Sequence, residues 1–188
     1  LILEIAVASV LVAGGAGFLR AWRARRSRAT EVKRLVTREA KKVRGAGLWP
    51  GDVVQVFHED FALEACTEIT DGGFFARVFE VVADERCIVQ LDTLGEQLVI
   101  AKPTEILEGR VPDMIDTGGR ILTLQRRGAS MNAIERRGVD PESIGKVDYV
   151  LLGDKGGQRL IVLDRQGSRI ALSGELLHLG SVSILPGS

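Results

Sequence analysis

The chain has 188 residues, 45% of them hydrophobic and 5% aromatic, and its 25 basic residues equal its 25 acidic ones. That neutrality conceals a dipole: residues 20–44 hold 11 Lys or Arg against two Glu, net +9, whereas residues 45–188 hold 14 basic and 22 acidic residues, net −8. So acidic a body excludes a nucleic-acid role, because phosphate binding needs a positive surface, and two Cys without further ligands exclude a Cys-type zinc site.

Leu1 to Leu19 is an almost unbroken apolar run with one charge, Glu4. About 20 helical residues cross a hydrocarbon core of about 30 Å, and a helix satisfies every backbone group there. The run is therefore expected to be a transmembrane helix, with Glu4 reaching the interface near its outer end. A buried core helix would not meet so abrupt a basic block. A cleaved signal peptide carries its positive charges before the apolar stretch, whereas Arg20, Arg23, Arg25, Arg26 and Arg28 follow it. The positive-inside rule then sets the C-terminal side in the cytoplasm, which predicts a single-pass protein of the cell inner membrane with a cytoplasmic body. Ser9, Ala13 and Gly17 recur every four residues and line one helix face, where small side chains allow a second helix to approach closely.

Residues 20–46 form a basic collar. Val32, Leu35, Val36 and Val43 fall on a helical stripe among the basic residues, predicting an amphipathic juxtamembrane helix. Arg20, Arg23, Arg25, Arg26 and Arg28 face anionic headgroups on this reading, each worth about 1 kcal/mol near the surface. Trp22 suits the interface. Gly45, Gly47 and Trp49-Pro50-Gly51 end the helix.

Beyond Gly51 the texture becomes short stretches of Val, Ile, Leu and Phe between turn residues, which predicts a mainly β body. Strands are expected over 52–57, 62–69, 74–83, 86–91, 97–101, 120–126, 130–136, 147–152, 159–163, 169–173 and 179–185. Turns are expected at Asp71-Gly72-Gly73, Gly95, Asp154-Lys155-Gly156-Gly157 and Gln166-Gly167.

The body also repeats. Ile88–Ile100 aligns without gaps to Leu160–Leu172, and Gly51–Val56 to Gly119–Leu124, with a four-residue insertion in the second copy placed at Asp140–Ser143. The expected plan is a duplicated β-sheet or small β-barrel body: repeat 1 over 47–107, a connector over 108–117 and repeat 2 over 118–188, each repeat with its own apolar core. The Asp92–Gly95 and Asp164–Gly167 turns read as structural, since Asp accepts backbone hydrogen bonds and Gly takes the positive φ.

The chemical inventory is short. His58-Glu59-Asp60 is a polar cluster of a kind that serves acid–base chemistry, since a carboxylate can orient an imidazole, though a solvent-exposed loop between strands accounts for it better. His178 has no motif around it, and Cys66 and Cys87 read as reduced core side chains that would pair only if the body lay outside the cytoplasm. No catalytic residue, cofactor or metal is expected.

Gly47-Leu48-Trp49-Pro50-Gly51-Asp52-Val53-Val54, the Asp71-Gly72-Gly73 turn, Ala76-Arg77-Val78-Phe79-Glu80 and the duplicated unit resemble a bacterial β-domain family often encoded beside phage-shock-type membrane-stress proteins. The order of one membrane helix, a basic segment and a Gly-Asp-x-Val opening is also similar in architecture to the small accessory subunit of the Sec translocase. With no nucleophile–base or metal constellation in the sequence, the favoured reading is a non-enzymatic accessory subunit that docks onto other membrane-protein subunits or copies of itself, its basic collar on anionic lipid. A small-ligand sensor or enzyme with a site between the repeats, near His58 and Glu59, is the alternative.

Overall fold

A computed structural model describes residues 47–92, 96–105, 108–137 and 140–187. The expected anchor, 1–19, and collar, 20–46, lie outside the described residues, among which no helix is long and apolar enough to cross a membrane. What is described is mainly β: β1 Val53–Val56, β2 Glu59–Asp71, β3 Phe74–Val81, β4 Cys87–Gln90, β5 Leu98–Pro103, β6 Met114–Asp116, β7 Ile121–Arg137, β8 Pro141–Gly153, β9 Gln158–Arg165, β10 Ser168–Leu176 and β11 Val182–Leu185. β7 runs through the gap expected at 127–129, and β6 lies inside the stretch expected to be a connector.

All the strands join one antiparallel sheet in the order β11-β1-β2-β3-β4-β5-β10-β9-β8-β7-β6. β2 also pairs with β7, through Ala65–Arg137, Cys66–Arg136, Thr67–Glu135 and Glu68–Ile134. That pairing returns the sheet on itself, so β2-β3-β4-β5-β10-β9-β8-β7 form a ring of hydrogen-bonded neighbours. β1 with β11, and β6, branch from it as flaps.

Alternation along the strands sorts side chains into the ring and out of it. Ile69, Ala76, Val89, Val99, Ala133, Tyr149, Ile161 and Leu172, one from each ring strand, share a single inner cluster. Outside, Val54, Phe61, Phe79, Ile88 and Leu98 pack beneath the β1 flap, and Leu122, Leu152, Leu160, Val162 and Ala171 pack with Val111 and Ile115 near β6. β4 is consequently buried at all four positions: Cys87 and Val89 point in, Ile88 points out. The separate core expected for each repeat is replaced by a shared interior plus one outer cluster per half.

The strand path is traced twice, and the contacts show its register. The Leu63 amide donates to the Asp52 carbonyl (2.9 Å) as the Leu124 amide does to the Asp113 carbonyl (2.7 Å). Each half then has a bulge immediately beyond, between Leu63 and Ala65 and between Leu124 and Arg126. β1 thus corresponds to β6 and β2 to β7, so the expected match of Gly51–Val56 with Gly119–Leu124 joined strands of different position. Across the later hairpins, Val89 and Ile161 both point inward, as do Leu91 and Leu163. Past the turn the gap-free alignment slips: Leu172 lies inside, with Val99, whereas Ile100 packs outside. The second hairpin is one residue longer, since Val89 pairs with Val99, ten positions on, while Ile161 pairs with Leu172, eleven on. A one-residue difference reverses the face of everything beyond it.

Where the halves meet at β5 and β10, Gly174 lies opposite Ala101, and a Cβ there would fall 2.6 Å from the Ala101 Cα and closer still to the Ile100 carbonyl oxygen. Gly174→Ala is expected to cost about 2 kcal/mol by forcing these backbones apart. Denaturant unfolding of the variant beside the parent protein measures it, and an unchanged midpoint would show that this seam tolerates widening.

Candidate functional site

Ser9, Ala13, Gly17, Arg20, Trp22, Arg23, Arg25, Arg26 and Arg28 lie outside the described residues. Two polar clusters stand out in the body, one at the β1–β2 tip, where the sequence singles out His58-Glu59-Asp60, and one at the β2–β7 seam.

At the tip, Val56 pairs with Glu59, so Phe57 and His58 form a two-residue turn. Phe57 has φ of +54° and is 80% exposed. The first central position of such a turn is one that Gly fills without strain, whereas a bulky side chain there is an outlier. Beside it Val56, Phe57, His58, Glu59 and Ile100 line a groove of about 360 Å³. The cluster is not assembled as an acid–base pair. Glu59 accepts from Arg86 Nη1 at 2.5 Å, Asp60 accepts from Gln55 Nε2 at 2.9 Å, and His58 is exposed. Arg86 also binds both oxygens of Asp84, at 3.2, 3.0 and 2.8 Å, and stacks over Phe61 at 4.7 Å. Its hydrogen bonds hold the Asp84 carboxyl below the usual range. His178 lies apart in sequence on the β10–β11 link, where its carbonyl accepts from the Ser181 amide and hydroxyl.

At the seam, Arg77 is nearly buried. Its guanidinium donates to Glu68 at 2.8 Å and to the Leu48 carbonyl at 3.1 Å, and lies over the rings of Trp49 (4.8 Å) and Phe75 (5.0 Å). From β7, Arg136 reaches the same Glu68 at 3.6 Å and the same Trp49 ring at 5.3 Å. The Leu48 amide donates to Gln90 Oε1 at 3.1 Å, while Asp52 accepts from Trp49 and Gly187 amides at 2.9 and 2.8 Å. The segment that leads into β1 is therefore strapped across the line that closes the ring. Motif reading misses this group, since Glu68, Arg77 and Arg136 are far apart in sequence; Trp49 beside a helix-ending Pro-Gly is the only local signal. Glu68→Gln leaves two guanidiniums sharing no carboxylate and is expected to cost about 3 kcal/mol in denaturant unfolding; a loss within error would make the cluster ornamental.

Cys66 belongs to the outer cluster and Cys87 to the inner one, on opposite faces of the sheet, so they do not face each other for a disulfide in either compartment. Burial pushes both thiols up to about 12 from an ordinary 9.0. Above pH 9 the unfolded chain ionises its thiols while the folded chain holds them protonated, so stability falls as pH rises. Both thiols should resist a thiol reagent until unfolding exposes them, and replacing either with Ala should flatten the alkaline decline; prompt labelling of the folded chain would contradict the burial.

Among the described residues no group of three or more His, Cys, Asp or Glu could hold a metal ion. Compared with known protein families, curated proteins and solved structures, the chain matches none.

Proposed function

We propose that the chain is a membrane-anchored, non-enzymatic accessory subunit of a larger bacterial membrane complex. Leu1–Leu19 spans the inner membrane, residues 20–46 lie against anionic headgroups, and the β-body stands in the cytoplasm, where it docks onto other membrane-protein subunits or copies of itself. A role in membrane stress or envelope maintenance fits the phage-shock-associated β-domain family that the body resembles. The observation that carries the reading is the abrupt change at Arg20, from one charge in nineteen residues to a block of net charge +9.

The rest of the body is consistent with it. A body of net charge −8 is repelled by the same headgroups that attract the collar, and so stands clear of the surface. The two strand paths read as copies of one β-unit, fused so that they share an interior packed with apolar side chains. In the anchor, Ser9, Ala13 and Gly17 offer the face for a partner helix.

Reporters active on one side only, fused after Ser188 in the full chain, test the arrangement. The expected result is a membrane-fraction protein whose reporter is active in the cytoplasm. A reporter active outside, or a chain recovered in the soluble fraction, would overturn it.

A further inference from the structure

Of two equivalent sheet edges in the body, one is covered by a strand and the other, among the described residues, is open. The hydrogen bonds to Asp52 and Asp113 make Val53, Val54 and Gln55 of β1 the counterparts of Met114, Ile115 and Asp116 of β6. The pairings agree, since Val54 lies opposite Phe61 as Ile115 does opposite Leu122. β1 has β11 along its outer edge, pairing Val53 with Leu185, Val54 with Ile184, Gln55 with Ser183 and Val56 with Val182, whereas β6 pairs with β7 alone. Exposure follows the difference. Val54 is fully buried while Ile115 is half-buried, and Met114 and Ile121 are 66% and 62% exposed.

The backbone of β6 has its open groups on that edge. The Asp113 carbonyl accepts from the Leu124 amide, and the Thr117 amide donates to the Arg120 carbonyl at 2.9 Å, so both face the β7 side. Alternation then turns the amides and carbonyls of Met114 and Asp116 away from β7, as those of Val53 and Gln55 turn toward β11. A row of this kind is a template for an extended chain.

We propose that the outer edge of β6 is the docking site for an extended segment of another subunit, which adds to the sheet antiparallel to β6 as β11 adds to β1. β11 supplies the chemistry of the occupant. It carries no charge; Val182 and Ile184 stand opposite Val56 and Val54, on the face turned to the outer cluster, while Leu185 stands opposite Val53 and Ser183 opposite Gln55. The docking segment is accordingly uncharged, with aliphatic side chains opposite Thr117, Ile115 and Met114 and a small polar one opposite Asp116. Its following amide meets a carboxylate as well. Asp52 accepts from the Gly187 amide just past β11, and Asp113, 67% exposed, gives one oxygen to Arg127 and keeps a second for an incoming amide.

A second copy is the poorer donor of such a strand. Its β11 is engaged on its own β1 and tied there through Gly187, so lending it would bare that edge instead. Only the source of the strand, another subunit of the membrane complex, rests on the accessory-subunit reading; the open edge does not.

The test adds a fluorescent peptide with the sequence of residues 181–188 to the full chain in detergent and follows its anisotropy. Saturable binding is expected, and the same peptide carrying Ile184→Asp should bind about 10-fold more weakly. In the chain, Met114→Pro removes one outward amide and leaves the pairing with β7 intact, as edge strands tolerate Pro. It should weaken binding about 10-fold, the effect of one hydrogen bond, with little change in the thermal midpoint. If that variant does not fold, Met114→Lys keeps the amide and sets on the edge a charge of the kind that blocks strand addition, with the same expected loss. Absence of saturable binding would overturn the proposal, and so would binding indifferent to the Met114 variants, which would put the peptide at β11. Sedimentation of the chain without peptide separates the sources: an oligomer dissolved by Met114→Pro would seat a second copy on the edge and overturn the assignment to another subunit. Peptide binding at β6 by a chain found in the soluble fraction would sustain the edge while refuting the anchored reading.

Discussion

Pairing of β2 with β7 is the constraint on which the body depends, because it turns a row of strands into a ring. A strand edge is a row of unpaired amides and carbonyls, and closure removes it from the eight ring strands at once. Closure also defines an inside, and every ring strand contributes to it. The polar group over this seam follows from the same geometry. Glu68 of β2 stands close to Arg136 of β7, and Arg77 of β3 completes the group.

Two halves with one strand path meet at two antiparallel seams, β2–β7 and β5–β10. The arrangement explains why neither half has a self-sufficient core: its inward face is completed only by the other. Each half instead covers its own outer surface, the first with β1 and β11 and the second near β6. The final strand belongs to this logic too. β11 comes after the second half in sequence but adds to β1 of the first, and Asp52 accepts the Gly187 amide beside it, joining the beginning and end of the body.

The departures from expectation have identifiable causes. The displaced match between Gly51–Val56 and Gly119–Leu124 rested on alternating apolar residues, which every half-buried strand shares. Hydrogen bonds to Asp52 and Asp113 separate the alternatives, and those are not written in a local pattern. Likewise, Met114–Asp116 is only three residues long and two of its side chains are exposed, too little for an alternation to register. Phe57 reads as a strand end because no Gly or Asn marks the turn. His58-Glu59-Asp60, adjacent in sequence, have their carboxylates drawn to Arg86 and Gln55 instead of to the imidazole.

The sequence by itself determined that the body is β, where most of its strands begin and end, and that its later hairpins are alike, because alternation and turn residues act over a few neighbours. The same local reading supplied the apolar run, the basic collar and the charge split. Only the tertiary structure decided that the halves close into one ring, that Cys66 and Cys87 face apart, that Trp49 lies against Arg77 and Arg136, and that Phe57 stands out beside a groove. Each of these depends on which strands become neighbours and in what register. Pairings between residues as distant as Ala65 and Arg137 follow from filling one shared interior, a condition on the whole chain at once and on no segment of it.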